Sequence, residues 1–237
     1  MSSKEHAPAN IIRLRHGIIA FVLIVVAAVA IYGLLYSTGA TVGEITEGEH
    51  YTVLDPSVAH TPGEPVEVME FFSYACVHCY QFDPLIEDWR GRQTDAVRFK
   101  RQPVDFSPAW ATLAQAYLTF EAMDILDDNH ERLFRALHDQ GKVFNTVEAL
   151  ADFVDGHGAT RDEFLATFNS PTIRRATARL QDTQRKFQVS GVPTLVVGGK
   201  YLVKMEVGRK LSLAVVDHLV KLEQADKPVV SAPSDGN

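Results

Sequence analysis

The chain has 237 residues, 46% of them hydrophobic and 22% charged, with a formal net charge of −7. Length and composition fit one large globular domain or two small ones. The first 36 residues carry a net +2 (Lys4, Arg13 and Arg15 against Glu5), which leaves −9 on the remainder and argues against binding nucleic acid or anionic head groups by bulk electrostatics.

Residues 17–36 read GIIAFVLIVVAAVAIYGLLY, an uncharged run of the length a single helix needs to cross a bilayer. A cleavable signal has a shorter apolar stretch, so the run reads as an uncleaved signal-anchor behind a cytoplasmic tail, residues 1–16. Arg13 and Arg15 precede it, and Glu44, Glu47 and Glu49 follow it. The positive-inside rule then sends the large domain across the membrane, which in a bacterium means the periplasm.

A linker over 37–50 leads to a short strand at Tyr51–Leu54 and a stronger one at Val66–Phe72, VEVMEFF. A helix is predicted over about 77–91, with Phe82, Leu85, Ile86 and Trp89 at helical spacing, then a strand at Val97–Gln102. Helical patterns follow at Pro108–Met123 and at about 128–139. Asn145 with Glu148, and Thr160 with Glu163, form capping pairs for two short helices, and Ser170-Pro171 opens a longer one to about Gln188. Strands at Thr194–Val197 and Lys200–Val203 flank Gly198-Gly199, a two-residue hairpin signal. A last helix runs over about 208–225, and residues 227–237 form a frayed tail. The fold class is therefore α/β, with a helical block at about 105–188 inserted in a small β-α-β, β-β-α unit spanning 51–226.

Only two cysteines are present, as Cys76-Val77-His78-Cys79 at the strand-to-helix turn. A disulfide scaffold needs more, and a structural zinc site needs a second ligand pair that the chain lacks, so a redox dithiol is the reading and neither metal nor cofactor is expected. At a helix start the two sulfurs can close a disulfide across one turn. Cys76 faces solvent above the unpaired N–H groups, which stabilise its thiolate, while Cys79 sits deeper and acts second. His78 can favour the Cys76 anion by charge or hydrogen bonding. Glu70 lies within the apolar strand, either buried close to the pair or turned outward, and Arg101 with Asp83 could form a charge pair nearby. His130, His138, His157 and His218 read as ordinary histidines, and the acidic cluster at 124–128 as a solvated loop.

The segment EFFSYACVHCYQF (70–82) resembles the active-site segment of the DsbA family of bacterial thiol:disulfide interchange proteins. YTVLDPSV (51–58) and SGVPTLVVGGKYLV (190–203) extend the similarity over about residues 50–225. The resemblance implies a thioredoxin fold with a helical insertion. It makes Cys76 the nucleophile, Cys79 the resolving sulfur, Glu70 the buried acid, and Val192-Pro193 the cis-proline pair facing the cysteines. It also implies exported proteins with free cysteines as substrates and a DsbB-like, quinone-linked membrane oxidase as reoxidant. The rival readings are a reductase or isomerase with the same site, or a redox-sensing binding module. Val77 stands where the best-known family dipeptide has proline.

Overall fold

The computed structural model describes residues 9–37, 44–54, 64–144 and 146–225. Contacts divide the chain into two units, residues 1–44 and residues 45–237. In the first, helix α1 spans Ala9–Ser37, and its stretch Arg15–Leu34 is long and apolar enough to cross a membrane. The side chains described there are all exposed, including Phe21, Leu23 and Ile24.

The second unit is built on a five-stranded sheet. Its strands are β1 (Tyr51–Val53), β2 (Val66–Phe72), β3 (Val97–Pro103), β4 (Thr194–Val197) and β5 (Tyr201–Val203), in the order β1-β5-β4-β2-β3. Only β2 and β3 run parallel, joined through helix α2 (Val77–Gly91); the other pairs are antiparallel. VEVMEFF is apolar almost throughout because β2 is covered on both faces, as a central strand must be. Val66 and Val68 pack with Phe82, Ile86 and Trp89 of α2 and with the final helix α9 (Arg209–Ala225). Met69 and Phe71 point to the opposite face, toward Phe187 and Val196. Pro84 inside α2 has no N–H to give to the Tyr80 carbonyl.

Between β3 and β4 the described residues form six helices: α3 (Pro108–Ala122), α4 (Leu126–His138), α5 (Val147–Val154), α6 (Arg161–Phe168), α7 (Pro171–Ala178) and α8 (Leu180–Lys186). Their apolar faces enclose Leu113, Tyr117, Phe120, Leu133, Phe134, Leu150 and Phe164. The Thr160–Glu163 capping box forms as the sequence predicts, and Ser107 and Ser170 cap α3 and α7 ahead of Pro108 and Pro171.

Several local expectations need correction. Asn145 falls outside the described residues, and the side chain capping α5 is Thr146, which accepts the Ala149 N–H. The long helix expected from Ser170 to about Gln188 is two helices. At Arg179 (φ −90°, ψ −6°) the chain tightens, and the Thr177 hydroxyl donates to the Ile173 carbonyl, an interaction that bends helices. Asp127 and Asp128 belong to the first turn of α4, where carboxylates suit the helix dipole. Gly198 and Gly199 take φ values of +60° and +66°, as a tight hairpin turn requires, and β5 begins one residue later than expected, at Tyr201. The 227–237 tail and part of YTVLDPSV lie outside the described residues.

Candidate active site

Strand β2 ends at Phe72, and the chain turns through Ser73, Tyr74 and Ala75 before α2 begins. The Cys76 N–H donates to the Ser73 carbonyl (3.1 Å), and the Ala75 N–H donates to the Ser73 hydroxyl (3.2 Å). Cys76 is the N-cap of α2: its sulfur accepts the Cys79 N–H at 3.3 Å, as a cap serine oxygen would. Both cysteines are free thiols. Cys76 is 8% exposed and Cys79 1%, so the first sulfur is the more accessible of the pair but far less open than the sequence suggests.

The cause is the segment before β4. The Val192–Pro193 peptide is cis, and the Cys76 thiol donates to the Val192 carbonyl at 3.5 Å. Two segments 116 residues apart thus meet at one sulfur.

The electrostatics separate the two cysteines. The Cys76 pKa is lowered to about 6, first by the hydrogen bond from the Cys79 thiol and then, against the effect of burial, by the Cys79 and His78 backbone N–H groups and the charge of His78. Burial pushes the Cys79 thiol strongly up, helped by the Cys76 anion it would have to face. His78 is exposed on the first turn of α2.

Beneath the pair lies a charged network. Glu70 is 2% exposed, and burial raises its pKa to about 7 despite the attraction of Arg101. Arg101, on β3, donates from Nε to Glu70 (3.0 Å) and from Nη2 to Asp83 (2.9 Å) and Glu87 (2.5 Å). The parallel pairing of Glu70 with Arg101 across β2 and β3 sets this geometry. The two sequence alternatives for Glu70 therefore resolve to the inward one, and the Arg101–Asp83 pair forms within a larger cluster.

Two histidines read as ordinary belong here. Asp83 Oδ1 also lies 3.0 Å from His130 Nε2, and the Tyr74 hydroxyl lies 2.8 Å from His130 Nδ1. His138 Nε2 lies 2.8 Å from the Tyr74 carbonyl. Their spacing carried the signal: 130, 134 and 138 fall on one face of α4, and the buried Phe134 marks that face as inward. An open cavity of about 850 Å³ borders the network, lined by Asp83, Glu87, Arg101, Tyr117 and His130 among others; neither cysteine lines it.

A helix-capping, pKa-lowered cysteine, its buried partner one turn on and the residue before a cis-proline against the sulfur, on a thioredoxin-like sheet with a helical insertion, define a protein thiol:disulfide oxidoreductase. Residues 67–212 match the family described as DSBA-like thioredoxin domain. The chain is 33% identical over 204 residues to thiol:disulfide interchange protein DsbA of Pseudomonas aeruginosa, covering 85% of this chain and 97% of that protein. It is 35% identical over 184 residues to DsbA of Azotobacter vinelandii, covering 77% and 86%. The crystal structure of Pseudomonas aeruginosa DsbA superposes with a TM-score of 0.70 at 35% identity, covering 76% of this chain and 95% of that one. The chain belongs to the DsbA family, and this membership supports the dithiol-oxidase direction.

Proposed function

We propose that this protein is a membrane-anchored dithiol oxidase that passes its Cys76–Cys79 disulfide to exported proteins. The observation that carries the reading is the asymmetry of the pair: the Cys76 thiolate is stabilised and the Cys79 thiolate is not. Stabilising the reduced thiolate makes Cys76 a good leaving group and draws electrons from substrate, an effect for which the DsbA family is itself a standard example.

In the oxidised enzyme a substrate thiolate attacks Cys76 Sγ, the Cys76–Cys79 bond breaks, and Cys79 leaves with the electron pair. Its high proton affinity makes it take a proton; the reading that Glu70 supplies it is supported by the proton Glu70 holds up to about pH 7 and by its electrostatic influence on Cys79. A second substrate thiolate attacks the substrate sulfur of the mixed disulfide and expels the Cys76 thiolate. The cis Val192–Pro193 segment offers its backbone beside the reacting sulfur, where an extended substrate can pair as an added strand. The dithiol is then reoxidised by a DsbB-like, quinone-linked membrane protein. Helix α1 supports anchoring in the inner membrane, with the catalytic domain in the periplasm and residues 1–16 in the cytoplasm. Anchoring would confine enzyme and reoxidant to one plane and raise their encounter rate.

The deciding experiment equilibrates the pair with glutathione buffers and counts thiols by trapping. A reduction potential above roughly −150 mV is expected; a value below about −230 mV, at the thioredoxin end, would make the protein a reductase instead. For the anchor, the full chain should stay with membranes after carbonate washing and a chain lacking residues 1–37 should not. Recovery of the full chain in the soluble fraction would reject the anchor.

A further inference from the structure

The Cys76–Cys79 segment is gripped from the inserted helical block. Tyr74, two residues before Cys76, is held at both ends by α4. Asp83 Oδ1 accepts from His130 Nε2–H, which leaves Nδ1 to accept the Tyr74 hydroxyl proton at 2.8 Å. Two turns along the same face, His138 meets the Tyr74 carbonyl at 2.8 Å; a carbonyl can only accept, so His138 Nε2 carries the proton. On the other side of the pair, Tyr80, the residue after Cys79, stacks its ring on His138 with centroids 5.0 Å apart and planes at 10°. Its hydroxyl donates to the Asp139 carboxylate at 2.7 Å and 2.8 Å. His138 thus binds both flanks of the C-x-x-C segment, by a hydrogen bond before it and a ring stack after it; Phe134 also touches the rings of Tyr74 and Tyr80, but only through apolar contact.

We propose that His138 is a positioning residue for the redox pair, setting how strongly the reduced state is favoured by holding the Tyr74 carbonyl and the Tyr80 ring in register. The inference rests on thiol–disulfide exchange at Cys76 and Cys79. The physical link is the segment between the flanks. The Tyr74 carbonyl belongs to the turn whose Ser73 carbonyl accepts the Cys76 N–H, and the dipole of that carbonyl lies close in sequence to the Cys76 sulfur. A donor on the carbonyl oxygen withdraws negative potential from the site and fixes the turn, and both effects favour a thiolate over a neutral sulfur. Without it, a part-buried acceptor two residues before Cys76 loses its donor. The inserted helical block then takes part in the chemistry from α4.

The test uses the full chain in detergent micelles, with His138→Phe, which keeps a ring to stack and removes the donor, and His138→Gln, which keeps an N–H donor. Two readouts are taken: the equilibrium constant with glutathione and the Cys76 thiolate titration followed at 240 nm. His138→Phe should shift the equilibrium about threefold or more toward the disulfide form and move the Cys76 titration to higher pH, and His138→Gln should recover most of both. A folded His138→Phe protein that matches wild type on both readouts overturns the proposal, because a purely structural contact would weaken both redox forms alike. Should the Phe variant not fold, reciprocity supplies the test in wild type. If His138 biases the redox equilibrium, the redox state must bias His138, and its imidazole ¹⁵N shifts must differ between oxidised and reduced protein. Identical shifts overturn the proposal too. Wild type that fails to exchange with glutathione at all would instead reject the oxidoreductase reading.

Discussion

Glu70 is a carboxyl group buried in the central strand and bonded to Arg101, yet burial outweighs the arginine and keeps its pKa near 7. In the unfolded chain it ionises in the ordinary carboxylate range, so between that range and pH 7 the folded state holds the extra proton. Glu70 therefore contributes stability that is present at low pH and is lost as pH rises toward and through 7. Urea midpoints measured on wild type and Glu70→Gln from pH 4 to 8 should show wild type losing ground to the variant across this window. A constant difference would mean that Glu70 is already ionised when folded. Where Glu70 also serves Cys79, the variant should slow formation of the mixed disulfide, the step that expels Cys79, more than its resolution, the step that expels Cys76.

The elements are secured by local devices that are separable from the chemistry. Thr160 and Glu163 close a full capping box on α6, with the Thr160 N–H 2.8 Å from Glu163 Oε2 and the Glu163 N–H 3.3 Å from the Thr160 hydroxyl. Thr160→Ala should cost about 1 kcal/mol in chemical denaturation and leave the glutathione equilibrium unchanged. A shift in the equilibrium would mean that the far side of the insertion is coupled to the site. The opposite case is α2, whose cap is Cys76 itself: the device that starts the helix is also the reacting group. When Cys76 is a thiolate the cap becomes charged, and the helix N-terminus gains an anion.

Across the whole molecule, that coupling ties redox state to stability. The Cys76 thiol is depressed to about 6 in the fold and titrates in the ordinary thiol range when unfolded. The reduced protein therefore has stability present above the ordinary thiol pKa that is lost as pH falls through about 6, a term the disulfide form lacks. Melting curves with and without dithiothreitol should show the reduced form gaining on the oxidised form from pH 5.5 to 8.5. An oxidised form that gains with pH would contradict the depressed Cys76 thiol and the oxidase direction with it. A protein whose reduced state is favoured in this way is driven to give up its disulfide.

Much of this was written in the order of residues. Period-2 and period-3.6 patterns located the strands and most helices, because burial on one face is a local demand on sequence. The Cys76–Cys79 spacing at a strand-to-helix turn already implied the helix-capped sulfur, since three residues are one helical turn. Three features waited for tertiary structure because each depends on chain segments far apart. Glu70 turned inward only when β3 placed Arg101 beside it. Cys76 proved largely covered because Val192 lies against it from 116 residues away. His130 and His138 gained their partners only when α4 packed across the turn at Tyr74 and the first turn of α2 at Tyr80. Sequence alone determined which groups can react; long-range packing decided what surrounds them, because solvation and hydrogen-bond partners are properties of the assembled interior and not of any local stretch.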